Sequence, residues 1–115
     1  MNEPLIKGPI LFVSNHPGGT NAISPVIWDL FNRKIPLYGL LSQRAQFFFE
    51  YISDKYIVKE MISRKFCENI LSEIQPQFVI LGTSEPQDPI VGRMEQIMTD
   101  CARNNQIPTI SVLDH

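Results

Sequence analysis

Apolar positions along the chain follow two alternating rhythms: short continuous runs, and longer stretches in which they recur every three or four residues. The first run, ILFVS at 10–14, has no polar alternation, which predicts a strand buried on both faces. A turn at residues 15–20, Asn-His-Pro-Gly-Gly-Thr, follows at once, and its glycines permit backbone conformations and close approaches closed to other residues. Ala22, Ile23, Val26, Ile27, Leu30 and Phe31 then mark one apolar face of a helix, with Thr20 or Asn21 as its N-cap and Arg33 and Lys34 near its negative end. LYGLL at 37–41 predicts a second strand. Residues 44–52 carry Phe47, Phe48, Phe49 and Tyr51 and suit either a short helix or a strand; Ser42, placed as a cap, favours the helix. Neither form buries three adjacent phenylalanines, so at least one is expected to be exposed or to cover a partner.

The same alternation runs to the end of the chain. Tyr56-Ile57-Val58 predicts a short edge strand, and from Lys59 the positions Met61, Ile62, Phe66, Ile70 and Ile74 line one side of a helix that stops before Pro76. QFVIL at 77–81 predicts a fourth strand, followed by the polar turn Gly82-Thr83-Ser84. Asp88-Pro89 reads as N-cap and first residue of a helix whose apolar face holds Ile90, Met94, Ile97, Met98 and Cys101. IPTISVL at 107–113 predicts the fifth strand, with Asp114 and His115 at its carboxyl end.

Strand and helix alternating in this way predict one α/β domain over residues 1–115. Its sheet is doubly wound, mainly parallel and five-stranded, with helices on both faces. The order 3-2-1-4-5 sets the two most apolar strands, the first and fourth, side by side at the centre. Ligands of such sheets bind beyond the carboxyl ends of the strands, where neighbouring connections diverge. The segments holding His16 to Asn21, Gly82 to Ser84, and Asp114-His115 all fall at that edge.

Composition narrows the partners. The 115 residues, 43% hydrophobic and 19% charged, provide one core, and a formal charge of −2 without blocks of one sign leaves no footprint for nucleic acid. No apolar run reaches the ~20 residues of a membrane span, and the first eight residues lack a signal-peptide pattern, so the expected compartment is the cytoplasm. Cys67 and Cys101 lie on separate predicted helices without metal-ligand spacing, which predicts buried free thiols and no metal site.

The candidate chemistry is correspondingly spare. There is no GxGxxG fingerprint, no GK[ST], no GxSxG and no HExxH, so neither a dinucleotide nor any other resident cofactor is expected. A phosphoacceptor domain would need carboxylates where the first strand ends in Ser14 and Asn15. Gly18 and Gly19 either turn the chain tightly or let it contact a ligand, and Thr20 and Asn21 add polar groups at a helix N-terminus suited to a phosphate or a sugar hydroxyl. Gly82, Thr83 and Ser84 offer hydroxyls and amides beside them, or are simply turn residues. His16 is a candidate acid–base residue or a plain hydrogen-bonding one. Asp114 and His115 resemble half of an acid–base pair, although neighbours on a strand point to opposite faces. Together Gly18, Gly19, Thr20, Gly82, Thr83 and Asp114 are expected to line one depression.

GGTNAISPVIWDL at 18–30, with Pro25 inside the helix, resembles the first loop and helix of the amino-terminal half of GT-B glycosyltransferases and the related UDP-N-acetylglucosamine 2-epimerases. VILGTS at 79–84, then a helix, then IPTISVLDH at 107–115, is similar to the later strand-turn-helix-strand of that half-domain. The resemblance implies a Rossmann-like half that contributes acceptor binding in polysaccharide biosynthesis and is inactive alone. A second domain or chain would complete the cleft and hold the nucleotide-sugar. The alternative is a free-standing, non-catalytic module for a phosphorylated or nucleotide ligand or a protein.

Overall fold

The computed structural model describes residues 7–15, 17–58, 62–83 and 93–113. Nine elements follow in order: β1 (Ile10–Ser14), α1 (Pro17–Asn32), β2 (Leu37–Ser42), a single 3-10 helix (Ala45–Phe49), β3 (Lys55–Val58), α2 (Arg64–Ile74), β4 (Phe78–Thr83), α3 (Arg93–Asn104) and β5 (Thr109–Leu113). The strands form one sheet in the order β3-β2-β1-β4-β5, and every neighbouring pair is parallel. This is the doubly wound, Rossmann-like arrangement expected from the alternation.

Because successive strand residues point to opposite faces, the sheet sorts its apolar side chains into two cores. On one face Ile10, Phe12, Leu37, Leu41 and Ile80 are covered by Ile23, Ile27 and Leu30 of α1 and by Ala45 and Phe49 of the 3-10 helix. On the other, Leu11, Val13, Leu40, Val79 and Leu81 pack under α2 and α3 through Cys67, Ile70, Leu71, Met94, Met98 and Cys101. Both thiols are free and buried, and burial pushes Cys67 up to about 12. Gly39 is required by packing: a Cβ there would stand 2.7 Å from the ring of Phe12, which itself packs on Phe49 with ring centres 4.9 Å apart.

Four local features differ from the sequence expectation. Helix α1 begins at Pro17, so Gly18, Gly19 and Thr20 form its first turn rather than a loop or cap. Proline suits the first helical position, where its fixed φ fits and its missing N–H is no loss. Residues 44–52 hold the expected helix only as a short 3-10 helix, started as expected at Ser42, whose Oγ accepts the Ala45 N–H at 3.1 Å. Phe49 is buried, whereas Phe47 and Phe48 are exposed, in line with the expectation that three adjacent rings are not all buried. Helix α2 starts at Arg64, because Ser63 caps it by accepting the Phe66 N–H at 3.1 Å; Ile62 precedes the helix, and residues 59–61 lie outside the described ones. Gly82 and Thr83 belong to β4 instead of a turn, since Gly82 pairs with Ser14 of β1 and Val112 of β5, and Thr83 pairs with Leu113 of β5. The expected cap Asp88-Pro89 lies outside the described residues.

Each of the three α-helices among the described residues gives way to a left-handed residue that is not glycine: Lys34, Gln75 and Gln106. At the ends of α1 and α3 the pattern is the same. Ile35 N–H returns to Leu30 O and Ile107 N–H to Ala102 O, which satisfies carbonyls left open at the helix end and turns the chain into the next strand.

Candidate functional site

The chain leaves β1 through α1 toward β2 on one side and leaves β4 through α3 toward β5 on the other, although β1 and β4 are neighbours. Their carboxyl ends therefore border the crevice where connections diverge. Ser14 pairs in register with Gly82 of β4 and with Leu41 of β2, so these residues mark the rim.

Hydrogen bonds hold this rim from both faces. Ser14 and Thr20 are fully buried and their hydroxyls bond to each other, which ties the first turn of α1 to the last residue of β1. Ser42 Oγ, at the end of β2, donates to Asn15 O at 2.8 Å. From the opposite layer, Glu95 in the first turn of α3 accepts the Asn15 N–H through Oε1 at 3.2 Å. The peptide groups of Asn15 are thus held between two side chains that come from different elements.

Glu95 is the unusual member of this set. Only 4% of it is exposed, and its Oε2 is buried without a hydrogen-bond partner. Desolvation pushes its carboxyl up from 4.5 to about 7, against the lowering effect of its own and the Asn15 backbone N–H groups. The group is therefore near half-ionised at neutral pH, the range in which a carboxyl can donate or accept a proton.

The predicted site residues are distributed unevenly. Gly18, Gly19 and Thr20 lie together in the first turn of α1, at the carboxyl edge, and Asn21 follows them with an exposed side chain. Gly82 is buried beside Ser14, and Thr83 ends β4. His16, Ser84, Asp114 and His115 lie outside the described residues. Pro25 lies inside α1, in its ninth position.

Sequence reasoning overlooked Glu95. Its spacing held the signal: Glu95, Met98 and Ala102 stand at i, i+3 and i+7, on the face that α3 buries. Among the described residues no group of three His, Cys, Asp or Glu side chains is placed to hold a metal ion.

A cleft of about 450 Å³ lies at the other end of the sheet, lined among others by Phe31, Lys34, Leu37, Tyr51 and Asp54. It opens where β2 begins and β3 is about to begin, the edge opposite to the one at which parallel sheets place their ligands.

Neither protein-family models nor curated proteins match this chain. Fold and strand-end geometry define it as a Rossmann-like α/β domain. No helix among the described residues is long and apolar enough to cross a membrane.

Proposed function

We propose that this domain is the acceptor-side half of a nucleotide-sugar-dependent glycosyltransferase or epimerase-like enzyme of polysaccharide biosynthesis. Its ligand, a sugar or a phosphorylated small molecule, sits over the carboxyl ends of β1 and β4, and a second domain or chain completes the cleft and holds the nucleotide-sugar. The observation that carries this reading is the convergence at the switch point: Asn15, held between Ser42 and Glu95, stands where β1 gives way to α1. The motif resemblance at 18–30 and 79–84 supplies the sugar class, and the order β3-β2-β1-β4-β5 agrees with the half-domain it implies.

Sugar transfer needs donor and acceptor held in contact and in line, so a domain carrying one side of the cleft binds without turning over. The test incubates the 115-residue chain with UDP-N-acetylglucosamine and follows release of nucleotide and epimerised sugar, with binding measured in parallel. Weak binding and no turnover are expected. Turnover by this chain alone would contradict the half-domain reading, and tight nucleotide binding without turnover would favour the free-standing binding module.

A further inference from the structure

We infer that the Glu95 carboxyl is a ligand-binding group of the strand-end site and that it selects a neutral, hydroxyl-bearing ligand there over a phosphate. The inference rests on the strand-end location given above and is independent of whether sugar is transferred.

Three observations carry it. The carboxyl is placed at the crevice, because Oε1 is 3.2 Å from the amide of Asn15, the residue that leaves β1, and α1 starts two positions later. Oε2, on the same carbon, is buried without a hydrogen-bond partner. No cation among the described residues pairs with Glu95; the ion pairs there are Asp29–Arg33 and Arg64–Asp100. A carboxyl kept only for structure would be neutralised by an ion pair, saturated with donors or left in water, since a buried oxygen without a donor is costly. A donor supplied by a ligand removes that cost.

The chemistry of the missing donor follows from the carboxyl itself. A hydroxyl donates to the carboxylate and accepts from the carboxylic acid, so it satisfies Oε2 in either protonation state. A phosphate is an acceptor with negative charge, and it meets an ionised Glu95 as a like charge at short range. The amides at the start of α1 favour an anion, whereas an ionised Glu95, bonded to the Asn15 amide, opposes one beside that residue.

Calorimetric titration of the wild-type chain and of Glu95→Gln with glucose, N-acetylglucosamine, glycerol and inorganic phosphate tests the inference. At least one neutral probe is expected to bind the wild type at millimolar concentration and about tenfold more weakly to the variant, as befits loss of one charge-assisted hydrogen bond. Phosphate is expected to bind more weakly than that probe, and no better to the wild type than to the variant. Carbon-13 titration of the Glu95 carboxyl in the wild-type chain gives a second readout that requires no variant: the neutral probe should move its midpoint. No binding by any neutral probe, equal affinity in the variant, an unmoved midpoint, or phosphate as the preferred ligand would each overturn the inference. Nucleotide-sugar turnover by this chain alone would count against the proposed half-domain and leave these binding results unaffected.

Discussion

Glu95 costs the fold stability at neutral pH, and the cost has a definite pH signature. In the unfolded chain its carboxyl ionises near 4.5, while in the native protein it holds its proton to about 7. Below 4.5 both states are protonated and there is no penalty. Between 4.5 and 7 only the unfolded chain releases the proton, so native stability falls with rising pH and levels off above 7. The interval corresponds to roughly 3 kcal/mol. Glu95→Gln keeps an acceptor for the Asn15 N–H and lacks the titration. Urea unfolding at pH 4.5 and pH 8 should therefore show the wild type losing roughly 2–3 kcal/mol more than the variant. Equal losses would show that Glu95 is not desolvated. The neighbouring polar pair was only half legible. Thr20 stood out beside two glycines, but a hydroxyl bond from it to Ser14, six residues back, depends on where α1 begins, and the local pattern does not give that.

At the scale of elements, the strands were the easiest to read because the three central ones, β1, β2 and β4, are apolar runs largely buried on both faces. β1 falls on the predicted residues, and the others differ only at their ends. The helix starts were harder, since propensity argues against two glycines in a first turn, whereas Pro17 and the Ser14–Thr20 bond favour helix from 17 onward. The aromatic run was read correctly as a helix after Ser42 with part of its rings exposed, and only its length differs. Phe49 is drawn into the core by Phe12, and after Ser42 has bound the Ala45 amide only one short 3-10 turn fits before β3. Its other rings are left outside, and Tyr51 joins Trp28 and Phe31 in a surface cluster with ring centres 4.9–5.9 Å apart. Space for Phe12 itself comes from Gly39 in the adjoining strand. Gly39→Ala should destabilise the protein by roughly 1–3 kcal/mol, because Phe12 is fully enclosed and has nowhere to shift. Urea unfolding checks this, and an unchanged midpoint would mean that the ring is not fixed against β2.

For the molecule as a whole, the order β3-β2-β1-β4-β5 makes a functional edge out of segments far apart in sequence. It brings Asn15, Ser42 and Glu95 into one hydrogen-bonded group, and it was predictable because parallel crossovers and the most apolar strands leave few topologies. What the sequence pattern could not supply was the depth of α3 against that edge, which is what buries a glutamate rather than leaving it in water. The opposite edge carries the cleft of about 450 Å³ beside Phe31 and Tyr51, so location is the sharpest distinction between a strand-end site and a rival one. The direct measurement is a map of backbone amide shifts as the labelled chain is titrated with N-acetylglucosamine and, separately, UDP-N-acetylglucosamine. The strand-end account predicts shifts concentrated at Asn15, Thr20, Gly82 and Glu95; shifts concentrated at Phe31, Leu37, Tyr51 and Asp54 would contradict it.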